Sequence, residues 1–236
     1  MPVIEAEGVG HRYGERTVLT DLDVRIVEQR VGIVGANGSG KSTFVRMLNG
    51  LVLPTRGCVR VDGLDTRRAG REVRRKVGFC FTDPDAQIVM PTVAEDVAFG
   101  LRRRGLSRAE TAERVAAALS TYGLSDHADH PAHLLSGGQK QLLALASVLV
   151  TEPAVLVMDE PTTLLDLRNA RMIAEVVERL PQQVLLVTHH LDLLDAFDRV
   201  LVFDGGRLVC DDTPSSAVGY YRELMGTAPH LPGGAG

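Results

Sequence analysis

Long apolar runs are missing from this 236-residue sequence: the longest uncharged stretch, Leu142 to Thr151, covers about half of the roughly 20 residues a membrane-spanning helix requires. No span is expected, so any service to a membrane runs through partners. Cysteine is scarce. Cys58, Cys80 and Cys210 are far apart, odd in number and without a C-x-x-C pair, which argues against a disulfide framework or a zinc site and suits reduced cytosolic thiols. Excess positive charge is absent too. With 26 basic and 30 acidic residues the net charge is −4, which leaves no cationic footprint of the kind duplex DNA requires, and no nucleic-acid partner is expected. The opening "MPVIEAEGVG" has neither a basic n-region nor an apolar h-region, so an intracellular protein without a secretory signal is expected.

What is present is core-forming material. Residues of the hydrophobic class make up 44% of the chain, whose length fits one large α/β domain or two small ones. Apolar, β-branched runs recur at 30–35, 77–81, 154–158, 183–188 and 199–203, separated by helical segments. They read as strands buried on both faces of a mainly parallel sheet. The segments "VIEAEGVGHRY", "LDVRI" and "CVRVDG" predict a small antiparallel layer beside it. Between about 92 and 150 the texture becomes helical, with capping boxes at Thr92/Glu95 and Ser107/Glu110 and a C-cap glycine at Gly123. The run Arg102 to Arg104 reads as a solvated helix end. The expected organisation is a domain over 2–215 with this helical insertion, then a short C-terminal helix and flexible tail over 216–236.

Three strand ends carry chemistry. "GIVGANGSGKST" fits G-x-x-x-x-G-K-[ST] between a strand and a helix, the setting of a phosphate-binding P-loop. Its candidate binding residues are Gly35, Asn37, Gly38, Ser39, Gly40, Lys41, Ser42 and Thr43. Lys41 would reach the β- and γ-oxygens, and Ser42 would ligate Mg²⁺. "AVLVMDEP" ends in two carboxylates, either acidic caps of a strand or, beside a P-loop, a metal-binding Asp159 and a proton-accepting Glu160. "VTHH" places His189 at a third strand end, as a structural histidine or a third polar group of one site.

"HLLSGGQKQLL" at 133–143 opens a helix on two glycines. Ser136 is a good N-cap and Gln139 completes a capping box. Each glycine costs up to roughly 1 kcal/mol against alanine in a helix interior, so bare backbone must be needed there. Amides of Gly137 and Gly138, with the Ser136 hydroxyl, would approach phosphate oxygens without a Cβ in the way. The P-loop already serves this chain's own nucleotide, so this receptor is expected to serve another chain's.

"LSGGQ", the P-loop, "VLVMDEPT" and "LLVTHH" in this order resemble the ATP-binding cassette family over roughly residues 2 to 215. That resemblance implies a P-loop NTPase fold and ATP with Mg²⁺. It also implies a second ATPase subunit arranged head to tail, with a homodimer favoured and a similar partner ATPase as the alternative. Tyr13 would stack on adenine, although it reads equally as a core residue. Asp166 would be the D-loop aspartate and His189 the γ-phosphate switch. "FCFTDPDAQIVMPTVAEDVAFG" is similar to the corresponding segment of energy-coupling-factor importers, which take up vitamins or transition-metal ions. Thr82 stands where the usual first Q-loop glutamine would sense Mg²⁺, and Gln87 matches the second glutamine. Thr82, Gln87 or a water is left to fill that role, with Gln87 a candidate metal ligand. The "TDPDAQ" variant looks most like biotin importer ATPases, with cobalt or nickel import as the alternative. Such an ATPase would work at the cytoplasmic face of the membrane with an integral-membrane coupling protein and a substrate-binding membrane protein. An exporter ATPase and a soluble DNA- or ribosome-associated ATPase are the competing readings.

Overall fold

The computed structural model describes residues 1–102 and 104–226; Arg103 and the Pro/Gly-rich tail at 227–236 lie outside the described residues. In chain order come β1 (Ile4–Tyr13), β2 (Arg16–Ile26), β3 (Arg30–Gly35), α1 (Lys41–Met47), β4 (Arg56–Val61), β5 (Leu64–Asp65), α2 (Gly70–Lys76) and β6 (Val77–Cys80). The helical stretch holds α3 (Val93–Leu101), α4 (Arg108–Thr121) and α5 (Gly137–Leu149). Then follow β7 (Val155–Asp159), α6 (Leu167–Arg179), β8 (Gln183–Val187), β9 (Arg199–Asp204), β10 (Arg207–Asp212) and α7 (Pro214–Gly226).

The five apolar runs become neighbouring strands of one sheet, order β10-β9-β3-β8-β7-β6, parallel except for the β9–β10 edge pair. Every residue of β3, β7 and β8 is buried, as continuous hydrophobic strands covered on both faces require. Val187 pairs with Ile33 on one side and with Asp159 on the other, so three strands end level at their carboxyl edge. The antiparallel layer is β2-β1-β4-β5. Helix α1 lies in the core it forms with the parallel sheet: Phe44, Val45, Met47 and Leu48 are buried with Ile4, Leu22, Ile33 and Phe203. Helices α3 to α7 contribute to a second core with Met158, Leu186 and Val202.

Local signals explain the helix ends. Capping boxes are formed at Thr92/Glu95, Ser107/Glu110 and Ser136/Gln139, and Gly123 follows α4 at φ 67, the left-handed turn only glycine adopts without cost. Short elements escape sequence reading. β5 has two residues, α2 buries only Val73, and β10 is a half-exposed edge. Arg102 and Arg104 are exposed at the end of α3, as expected of a solvated helix end. The Arg102 guanidinium lies 5.0 Å over the Phe99 ring, and Arg104 Nη2 donates to Thr151 O at 2.7 Å.

Arg30, at the start of β3, fastens the far end of the sheet. Its guanidinium donates to the carbonyls of Gln182 (2.7 Å), Glu178 (3.4 Å) and Leu180, the last turn and exit of α6. A buried cation thereby caps a helix C-terminus. Arg30→Met keeps the aliphatic stem and strands those carbonyls. It is expected to cost about 1–3 kcal/mol in urea unfolding, with kcat for ATP nearly unchanged because the opposite edge of the sheet carries the chemistry.

Candidate functional site

The loop after β3 is shaped by close approach. At Gly35 a Cβ would stand 2.1 Å from the Phe203 carbonyl oxygen. At Gly40, φ is 103 and a Cβ would stand 2.6 Å from Leu19 Cδ2. Neither position admits a side chain, so the backbone can turn tightly into α1. Buried Lys41 folds onto this loop, its Nζ donating to Gly35 O (2.7 Å) and Ala36 O (2.9 Å). Burial pushes the Lys41 ammonium below its ordinary value, opposed by Glu160 and Asp159. The Ser39 hydroxyl is buried with no partner. A phosphate oxygen is the kind of group that would satisfy it.

Asp159 closes β7 and is buried. Ser42 Oγ donates to its Oδ1 at 2.8 Å, and Arg46 Nη2 lies 3.2 Å from Oδ2. Burial raises the carboxyl above its ordinary value, against the Ser42 hydrogen bond and the Arg46 charge. A hydroxyl and a carboxylate meeting here are hard oxygen donors, the set that suits Mg²⁺ beside a bound phosphate. Arg46, one turn after Ser42, carried no sequence signal.

Glu160 is one of few non-glycine residues at positive φ (54), a conformation kept only where surroundings enforce it. Its amide donates to Val187 O at 3.0 Å. Its carboxylate is held at both oxygens, Oε1 lying 2.9 Å from His189 Nε2 and Oε2 accepting from Thr163 Oγ1 at 3.0 Å. His189 and Glu160 are thus brought together, and Thr163 joins them.

A cleft of ≈ 310 Å³ is lined by Tyr13, Arg16, Val18, Asn37, Gly38, Ser39, Gly40, Lys41, Ser42, Thr43 and Glu160. Tyr13 is 52% exposed, with the buried His11 ring at 4.5 Å in an edge-on arrangement. It faces the cleft and is no core residue. Arg16, which sequence reading missed, adds a cation to this wall. None of Ser136, Gly137, Gly138 or Gln139 lines the cleft. They stand at the start of α5, Gln139 bound to Ser136 N and to His127 Nε2 (both 2.9 Å).

One expectation needs correction. Gln87 does not reach the metal set: its Oε1 accepts from Phe81 N (3.1 Å) and its Nε2 donates to Ala144 O (3.2 Å), so the amide braces β6 against α5. Thr82 is the residue turned to the strand end, its Oγ1 donating to Asp159 O at 2.6 Å. The two signature glycines differ in exposure: Gly138 is buried against its own chain and Gly137 is exposed. Asp166, expected in the D-loop, caps α6 by accepting from Asn169 N at 2.8 Å. The cysteines are free, and burial pushes the Cys80 thiol up to about 12, which keeps it inert.

The ABC transporter family model matches residues 19–163. The chain is 55% identical to a protein of Deinococcus radiodurans provisionally named an ABC transporter ATP-binding protein, over 94% of this chain and 99% of that one. It is 46% identical to the biotin transport ATP-binding protein BioM of Rhizobium etli (94% and 98% covered). It is also 46% identical to the energy-coupling factor transporter ATP-binding protein EcfA1 of Symbiobacterium thermophilum (90% and 80%). Among solved structures, cbiO1 from Clostridium perfringens, part of the ABC transporter complex cbiONQ, superposes with TM-score 0.81 at 31% identity, covering 96% and 95% of the chains. The dimeric post-hydrolysis state of MJ0796 bound to ADP and Pi gives TM-score 0.78 at 28% identity, covering 89% and 98%. With a P-loop, an acidic strand end and a histidine gathered on one sheet edge, and with these likenesses along nearly its whole length, the chain belongs to the ABC transporter family and is an ATPase that uses ATP with Mg²⁺.

Proposed function

We propose that this ATPase powers an energy-coupling-factor importer, that its cargo is biotin, and that it works as a pair of identical copies at the cytoplasmic face of the membrane. The observation that carries the cargo is the 46% identity spanning 98% of a biotin transport ATP-binding protein. Pairing is supported by the cleft: Lys41, Ser42 and Glu160 line it, whereas the Ser136–Gln139 turn does not. A second copy would bring that turn to the open side of the nucleotide. Tyr13 stacks on the adenine, the P-loop amides and Lys41 bind phosphate, and Ser42 and Asp159 would hold Mg²⁺. When bound, Mg²⁺ neutralises charge on the transferring phosphoryl group. Glu160 takes the proton of the attacking water, with His189 orienting its carboxylate.

No helix among the described residues is long and apolar enough to cross a membrane. The helical region instead offers a groove of ≈ 710 Å³, lined on the α3 side by Ala94 and Ala98 and on the α4 side by Ala112, Val115 and Leu119. Val89, 60% exposed, lies in the preceding loop. That loop is pinned by buried Asp96, which accepts from Val89 N (2.9 Å), Met90 N (3.1 Å) and Ser147 Oγ (2.8 Å). A helix of an integral-membrane coupling protein suits such a groove, and the pinned loop ties it to Thr82 and the strand end.

Pull-down of the tagged chain from native membranes is expected to recover a membrane scaffold and a small substrate-binding membrane protein. Deleting its gene should abolish uptake of labelled biotin, with rescue by the native chain and not by Glu160→Gln. Unimpaired biotin uptake after deletion would overturn the cargo, and recovery of an exporter membrane domain would overturn import.

A further inference from the structure

The two glycines that open α5 differ in what a side chain would meet. A Cβ on exposed Gly137 would find only Leu165 Cδ2, at an ordinary 3.9 Å. A Cβ on buried Gly138 would stand 2.5 Å from both Cγ and Oδ1 of Asn169 and 3.0 Å from its Nδ2, so the Asn169 amide would have to move aside to admit it. The missing side chain at 138 is therefore filled by Asn169 of the same chain. Asn169 sits in the first turn of α6, where its own N–H is held by Asp166 Oδ1 at 2.8 Å. Six residues upstream, Thr163 donates to the carboxylate of Glu160.

We propose that Asn169 is a positioning residue, seated on the bare backbone of Gly138, that fixes the first turn of α5 to the Thr163–Asp166 segment leading back to Glu160. The seat makes one rigid piece of two functions. The turn offered to a neighbouring copy's nucleotide is held in register with the segment that orients this chain's own proton acceptor. Packing at van der Waals contact transmits displacement, because interiors are too dense to absorb it locally. A shift of α5 then moves Asp166 and the Glu160 clamp with it. The proposal rests on the shared-nucleotide reading for its activity readout only.

The test is a suppressor cycle on the full chain: Gly138→Ala, Asn169→Ala and the double variant, with Gly137→Ala as comparison. Readouts are kcat and KM for ATP, and the thermal unfolding midpoint. Gly138→Ala is expected to lower kcat at least about tenfold and the midpoint by several degrees. Asn169→Ala alone should lower kcat a fewfold with KM unchanged. The double variant should return both kcat and midpoint to the Asn169→Ala level, a coupling that independent sites do not give. Should Gly138→Ala not fold, recovery of a folded protein in the double variant is the supporting result. A double variant as impaired as Gly138→Ala in both readouts would overturn the seat, as would a Gly138→Ala whose kcat and midpoint are both native. Failure of the shared-nucleotide reading is recognised separately: Gly137→Ala, Gly138→Ala and the double variant would then all hydrolyse ATP normally while the midpoints still showed rescue.

Discussion

Glu160→Gln is expected to lower kcat for ATP by at least about a hundredfold while nucleotide affinity and ATP-driven pairing persist, since a positioned general base contributes about 10² to 10⁴ in rate. The substitution is nearly isosteric, and its surroundings favour retention of the fold. The positive φ of residue 160 is imposed by its amide bond to Val187 O, which Gln keeps. An amide oxygen can still accept from Thr163 or His189, the two partners now holding the carboxylate. What is lost is basicity. Lys41 and the P-loop turn are untouched, so binding groups remain. Phosphate release measured over a range of ATP concentrations separates the two effects. A fall in kcat with KM unchanged assigns the loss to the transition state. Phosphate release at the native rate would remove Glu160 from the role and shift attention to a water held by Thr82 or His189.

Much of this site could be read along the chain because its groups sit at the ends of continuous buried runs. Lys41 follows β3, Asp159 and Glu160 close β7, and His189 follows β8, and the sheet order puts those strands side by side. Capping boxes were equally legible, being i to i+3 patterns that depend on nothing distant. What could not be read depends on which face of one element meets another. Arg46 reaches Asp159 because it lies one turn after Ser42 on α1, and arginine at that spacing is ordinary in any helix. Thr163 meets Glu160 across a tight turn in which residue 160 has φ 54, a conformation no local pattern in the sequence announces. Gln87, one of the candidates left open for the Q-loop role, spends its amide on Phe81 N and Ala144 O, contacts between distant elements that no local pattern announces. The glycine pair shows the limit most sharply. Sequence gave both residues one reason, and the fold separates them into an exposed Gly137 and a Gly138 buried under Asn169.

The second large effect is expected from mixing two inactive chains. Lys41→Met removes the buried ammonium that the P-loop carbonyls hold, and leaves the α5 turn intact. Gly137→Asp leaves the P-loop intact and places a carboxylate at the first residue of α5. That position has room for it, the nearest atom to a new Cβ being Leu165 Cδ2 at 3.9 Å, and an acidic residue there suits the helix dipole. Folding is therefore preserved while negative charge is set where the neighbour's phosphates would lie. Each variant alone carries the same fault in both composite sites of its pair, so each should lose at least about a hundredfold in rate. In a mixed pair the faults fall together: one site has both lesions, and the other combines an intact P-loop with an intact turn. With equimolar chains at random pairing and independent sites, activity should rise to about a quarter of native. Sites contained within one chain predict no recovery, because no chain in the mixture has both halves whole. A mixture no more active than its components, and no more paired under ATP than they are, would remove the shared nucleotide from this protein.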